Sequence, residues 1–186
     1  DTLDDLARLC EEGLVDVTLG GPPCSTFSKA RHNWKQAGPR PVRSRLYLWG
    51  LPGLKEHEQR RVDEANTLAL NLMVMAEAVS SRGGGHLIEH PEDPGRPPFP
   101  SLWATEEMRG LESRTGACRA ELDQCRFGGR ARKATCFSGT LDKLNTLHGT
   151  RCQGGHQHGP VEGRDKDGNF HTRSLQEYPV ELCRVL

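Results

Sequence analysis

Leu14-Val15-Asp16-Val17-Thr18-Leu19-Gly20-Gly21-Pro22-Pro23-Cys24-Ser25-Thr26-Phe27-Ser28 is the stretch that decides how this chain folds. Its first half is a short apolar run closed by two glycines, the pattern of a buried strand. Its second half stops that strand abruptly. Gly20 and Gly21 let the backbone turn sharply, and Pro22 and Pro23 fix the exit direction. Cys24 is thereby presented just past the strand tip. A thiol held rigidly there, ahead of a long basic loop, reads as a nucleophile under a lid; the alternative is a structural cysteine in a tight turn.

Upstream, residues 2–12 place Leu3, Leu6, Ala7, Leu9 and Cys10 near one helical face, with Gly13 as the stop. Downstream, 29–57 is polar and holds Pro39, Pro41 and Pro52, which predicts a long loop. Residues 58–80 repeat apolar positions at Val62, Ala65, Leu68, Ala69, Leu72, Met73, Ala76 and Val79, a helix period. Gly83, Gly84 and Gly85 end it, and His86–His90 follows as a short strand bounded by Pro91. A helix over Ser101–Ser113 with Ser101 as N-cap is expected next, then strands at 119–127 and 133–138. The rest, to about residue 173, is Gly-, His- and Asp-rich loop, closed by an amphipathic piece from Leu175 to Leu186.

That alternation predicts an α/β domain with a mostly parallel sheet and a loop-rich C-terminal part. Val15–Leu19 and Leu87–His90 are expected to be neighbouring strands. Ligands sit outside the carboxyl ends of such strands. Cys24 and Glu89 both fall there, although Glu89 taken alone reads equally as a strand-end carboxylate capping the next turn.

Composition bounds the class. The chain has 186 residues, 34% hydrophobic, with 21 glycines and 12 prolines, so one loop-rich domain with a real core is expected. No apolar run reaches the length of a membrane span. Seven cysteines, an odd number without a C-x-x-C, point to a reduced intracellular protein rather than a disulfide scaffold. The chain opens on Asp1 and reads as part of a longer polypeptide. Net charge is zero but segregated. Residues 1–20 carry six acids against Arg8, and 29–45 carry Lys29, Arg31, Lys35, Arg40, Arg43 and Arg45 with no acid. A second basic cluster holds Arg126, Arg130, Arg132 and Lys133. Such blocks suit a polyanion such as DNA; either alone also reads as a solvated loop.

Gly20-Gly21-Pro22-Pro23-Cys24-Ser25-Thr26-Phe27-Ser28 after Val15-Asp16-Val17 resembles the catalytic motif of DNA cytosine-5 methyltransferases. Glu89-His90-Pro91 stands where that family has Glu-Asn-Val. A related group of methyltransferase-like domains in mobile-element polyproteins is similar further along. The matching segments are Asp123-Gln124-Cys125-Arg126-Phe127-Gly128, Arg132-Lys133-Ala134-Thr135 and Tyr178-Pro179-Val180-Glu181-Leu182-Cys183. The resemblance implies a partial Rossmann-like methyltransferase sheet and methyl transfer from S-adenosylmethionine to carbon 5 of cytosine in DNA, through a covalent Cys24 adduct. It implies that Glu89 and Arg132 are catalytic and that Gly21 and Pro23 touch the cofactor. It further implies that Ser28, Lys29, Arg31, Arg40, Arg43 and Arg45 close on nucleic acid, in a nuclear protein if the source is eukaryotic.

Departures from the family are specific. The Gln-x-Arg-x-Arg motif is matched only in part, with Arg130 in the Gln place, Arg132 as the first Arg and Ala134 in place of the second, and the C-terminal Gly-Asn element is replaced by Glu177-Tyr178-Pro179. The glycine-rich cofactor strand is not in this chain, so an upstream part of the same polypeptide is expected to complete the cofactor site. The alternatives are a degenerate nucleic-acid-binding or structural remnant within a polyprotein, and an amino-methyltransferase turn, against which Cys24 in place of an aromatic residue argues. His148, Cys152, His156 and His158 have zinc-ligand chemistry, but Gly154 and Gly155 between them predict a polar loop rather than a metal site. Cys118, Cys125, Cys136 and Cys183 are expected in the core.

Overall fold

The computed structural model of the chain describes residues 2–32, 39–161, 163, 166–171 and 175–186. Lys35, one of the expected basic loop residues, lies outside them. Among the described residues, four helices, α1 (Thr2–Glu11), α2 (Glu56–Ser81), α3 (Glu106–Thr115) and α4 (Val180–Val185), accompany a four-stranded sheet. Its strands are β1 (Val17–Gly20), β2 (Gly85–Pro91), β3 (Cys118–Asp123) and β4 (Ala134–Gly139), in the order β1-β2-β4-β3. Among the described residues, no helix is long and apolar enough to cross a membrane.

The α/β class and the β1–β2 neighbourhood are as the sequence predicts. β1 pairs parallel with β2, Val17 opposite Gly85 and Gly20 opposite Ile88. The mostly parallel sheet is not. β4 lies between β2 and β3 and pairs antiparallel with both, so the sheet is mixed. The cause is local: β3 runs into a 3-10 turn at Gln124–Phe127, and the chain returns at once as β4 instead of crossing over through a helix. β3 still points the same way as β1 and β2. Three carboxyl ends therefore share one sheet edge with the start of β4.

Side chains alternate along β2. Ile88 joins Phe27, Leu72, Met73, Trp103, Met108 and Leu111 in the core under α2 and α3. Leu87 joins Ala120, Leu122, Phe137, Leu144 and Leu182 on the other face, where α4 packs. Cys136 faces the first core; Cys125 is also buried, as expected, whereas Cys118 is only partly buried and Cys183 is exposed. The N-cap of α3 is Thr105, whose hydroxyl accepts from the Met108 N–H, not Ser101. Ser101 instead precedes a 3-10 turn, Leu102–Ala104, that buries Leu102 and Trp103.

β1 departs from its predicted burial. It is an edge strand, with Leu19 65% and Val17 44% exposed and Leu14 68% exposed just before it. One face of β1 meets α2; the face shared with Leu87 is open at this edge.

Candidate active site

Cys24 follows β1 and Glu89 is the fifth residue of β2, so parallel pairing brings both to the same sheet edge. Cys24 opens a turn closed by the Phe27 N–H on its carbonyl, 3.0 Å, and is exposed. Gly21 sits directly over the Glu89 carboxyl. A Cβ there would stand 3.3 Å from Glu89 Oε2 and 3.0 Å from the Tyr178 hydroxyl, a tight fit that would push on both groups.

Glu89 is held from two sides. Tyr178 donates its hydroxyl to Oε2 at 2.9 Å. Lys133, the residue before β4, places Nζ 3.2 Å from Oε1. That contact lacks hydrogen-bond geometry, which leaves Oε1 buried with no donor aligned on it. Lys133 Nζ also lies 5.2 Å above the Tyr178 ring.

These neighbours set the protonation states. Although the residue keeps an exposed surface, desolvation of its thiol within the recess, and then the Glu89 charge, hold Cys24 above its ordinary value, opposed by the Lys133 ammonium. Burial and the same carboxylate keep Tyr178 protonated well above its usual range, so it acts as a donor. The resting site is thus a protonated thiol and a protonated phenol beside the Glu89 carboxyl group, one oxygen of which has no donor aligned on it.

Lys133 and Tyr178 lie in the segments that carry the resemblance, and sequence reasoning put Lys133 only in a basic cluster and gave neither a role at Glu89. Arg132, expected to be catalytic, does not provide the cation at Glu89. Its Nε donates to Asp123 Oδ2 at 3.1 Å, and the cation on Glu89 is the next residue along. β4 explains the switch, because adjacent residues entering a strand point to opposite faces.

The expected nucleic-acid loop is largely tied down. Arg43 is fully buried, donating to Thr26 Oγ1 (3.0 Å), the Leu48 carbonyl (2.7 Å) and the Val62 carbonyl (3.3 Å). It also stacks 4.0 Å from the Phe27 ring. Burial and nearby Arg31 lower its pKa to about 10, which leaves it charged at neutral pH. It is an internal strut for the Cys24 turn, so its assignment to nucleic acid is corrected. Arg40 is bonded to Glu58 through both carboxylate oxygens, and Arg45 to Asp93 at 2.6 Å and 2.8 Å. Arg31 donates to the carbonyls of Ser25 (2.7 Å) and Arg40 (3.0 Å), bracing the turn from outside. Ser28 Oγ accepts from the Ala30 N–H, and Lys29 is exposed. Arg126, Arg130 and Arg132 are also exposed, on the edge that carries Cys24.

For S-adenosylmethionine these residues offer little. Gly21 and Pro23 are exposed, but the space over Gly21 is taken by Tyr178 and Glu89. The described residues do not fit the group. No family model matches the chain, and neither a curated protein nor a solved structure does.

Proposed function

We propose that this chain is the nucleophile-bearing part of a DNA cytosine-5 methyltransferase-like domain with a Rossmann-like plan. The observation that carries the reading is the meeting of Cys24 with Glu89 at the carboxyl ends of two adjacent parallel strands. In this reading the Cys24 sulfur, as thiolate, adds to carbon 6 of a cytosine turned out of its stack. Glu89 Oε1 is the free acceptor for the exocyclic amine, and the carboxyl group holds a proton at the ring nitrogen as charge develops there. Lys133 favours the thiolate and offsets the second negative charge. S-adenosylmethionine supplies the methyl group in such chemistry. Its missing walls would come from further chain pairing on the open edge of β1, where Val17 and Leu19 are uncovered. Phosphates would meet Lys29, Arg126 and Arg130 rather than the neutralised arginines of the loop.

A second reading, a domain that keeps the fold but not the reaction, is favoured by one observation. Cys24 is held above its ordinary pKa, the reverse of an activated thiol.

The two part on an oligonucleotide carrying 5-azacytosine, whose carbon 6 accepts a thiolate without prior methyl transfer. The chain should form a denaturation-resistant adduct, and Cys24→Ser should abolish it. An adduct that survives Cys24→Ser, or none from protein that demonstrably binds the oligonucleotide, would overturn the nucleophile assignment.

A further inference from the structure

Away from Cys24, four ligand-type side chains converge at the end of β3. Cys125, Cys152, His156 and His158 each bring one donor atom to within 4.8 Å of the others. Cys152 Sγ lies 3.8 Å from His156 Nε2 and 3.5 Å from His158 Nε2. Ligands about 2.3 Å (sulfur) and about 2.0 Å (nitrogen) from a tetrahedral zinc ion are separated by roughly 3.3–3.8 Å, so these distances are those of a site nearly closed around an ion.

From this geometry we propose that the chain binds one structural zinc ion through Cys125, Cys152, His156 and His158. The sequence reads this stretch as a polar loop rather than a metal site, and the ligand-type residues it offers are His148, Cys152, His156 and His158, without Cys125. His148 is occupied elsewhere, its Nδ1 accepting from the Glu121 N–H at 3.2 Å. Cys125 enters because the 3-10 turn after β3 turns it toward the loop, 27 positions before Cys152 in the chain.

The backbone holds the site in register. Residues 149–152 run alongside β3, with the Gly149 N–H on the Glu121 carbonyl (2.9 Å) and the Asp123 N–H on the Thr150 carbonyl (3.0 Å). Asp123 Oδ2 accepts from the Cys152 N–H at 2.8 Å, and the Gly159 N–H reaches the Arg130 carbonyl at 2.8 Å. Gly154 and Gly155, at φ +82° and +81°, reverse the chain between Cys152 and His156. The pair that reads as floppy in sequence is what allows the thiol and both imidazoles to face one another. The Gly154 N–H also points at Cys152 Sγ, 3.4 Å, where it would stabilise a thiolate. Two thiolates and two neutral imidazoles neutralise the ion and fill all four positions, which makes the site structural rather than catalytic. Binding would release the two thiol protons to solvent.

The test is cobalt(II) or zinc(II) alone added to the reduced, metal-free 186-residue chain. One equivalent of cobalt should give the visible spectrum of a tetrahedral thiolate site, displaced by one equivalent of zinc. Two thiols, Cys125 and Cys152, should become protected from alkylation while Cys24 stays reactive. Cys125→Ser and Cys152→Ser should each weaken binding by more than the roughly 10–100-fold that loss of an outer partner costs, and His148→Ala should leave it unchanged. Cys152→His keeps four ligands, so it should retain cobalt with about half the thiolate charge-transfer intensity. No stoichiometric uptake, or uptake lost with His148→Ala and kept in Cys125→Ser, overturns the site.

Discussion

Cys24 and Cys125 each follow a strand whose carboxyl end lies on the same sheet edge, yet their surroundings are opposite. Cys24 is exposed and shares its recess with a carboxylate, an ammonium and a phenol. Cys125 is buried and shares its surroundings with another sulfur and two imidazoles. The strands deliver both thiols in the same way; the following loops decide what each can do. After β1 the exit is fixed by Pro22-Pro23 and then by a turn braced by Arg31 and Arg43, so the thiol is held at the strand tip. After β3 the returning chain brings a second set of donors onto it. One arrangement leaves a thiol free to react and the other immobilises it.

The largest effect should come from removing the strut under the first thiol. Arg43→Ala leaves Thr26, the buried Val62 carbonyl and the partly buried Leu48 carbonyl without their donor, and should cost about 3 kcal/mol in urea-induced unfolding. Arg45→Ala breaks only a partly exposed pair with Asp93 and should cost about 0.5–1 kcal/mol. Cobalt uptake by folded Arg43→Ala protein should match the parent, because the strut belongs to the Cys24 side alone. Equal costs for the two arginines would mean that Arg43 is a surface residue after all.

Acid should separate the two regions next. His90, beside Glu89 in sequence, points into the other core between Phe27 and Trp103. Burial, with Arg43 and Lys133 nearby, lowers its pKa from 6.5 to about 3. The folded state therefore binds fewer protons than the unfolded state between those values. The stabilisation is complete above about pH 6.5 and is lost progressively as pH falls toward 3. From pH 7 to 5 this amounts to about 2 kcal/mol, measured by urea unfolding of metal-free protein at each pH. Neither ring nitrogen has a well-aligned hydrogen-bond partner, and the adjacent Pro91 carbonyl keeps its bond from Trp103 Nε1, so His90→Leu should flatten that dependence without orphaning a polar group. An unchanged slope would show that His90 stays accessible to protons.

How much of this was legible follows from the range of each interaction. The α2 helix and the β1–β2 pairing come from apolar periodicity, which is local, and they place Cys24 beside Glu89. The open edge of β1 was not legible, because Leu14–Leu19 has the same composition whether it is central or at a border. Nor was the place of β4, since insertion between β2 and β3 depends on a tight return at Gln124–Phe127. A basic, proline-rich stretch reads as a polar loop, and nothing local marks Arg43 as the residue that turns inward over Phe27. Lys133 and Tyr178 reach Glu89 across 44 and 89 positions. Cys125 reaches Cys152 across a strand pair. No spacing rule carries such contacts.

The smallest effects bear most directly on the first thiol. Alkylation of Cys24, followed by peptide mass analysis so that Cys125 and Cys152 are scored separately, reports its thiolate fraction against pH. Glu89 raises the Cys24 pKa, so Glu89→Gln should lower it and speed alkylation at neutral pH about 2- to 5-fold, equivalent to roughly 0.4–1 kcal/mol. Lys133 lowers it, so Lys133→Met should move the profile up and slow alkylation by a similar factor. Tyr178→Phe removes a neutral donor from Glu89 and leaves the net charge of the recess unchanged, so the profile should barely move. The protected pair at the end of β3 should respond to none of these in the zinc-bound chain. Opposite shifts from Glu89 and Lys133, with Tyr178 silent, identify Coulomb interaction as the force that tunes Cys24. Equal slowing by all three would instead mean that the recess merely shields the thiol from the reagent, and the contrast between a reactive and a held sulfur would then reduce to access alone.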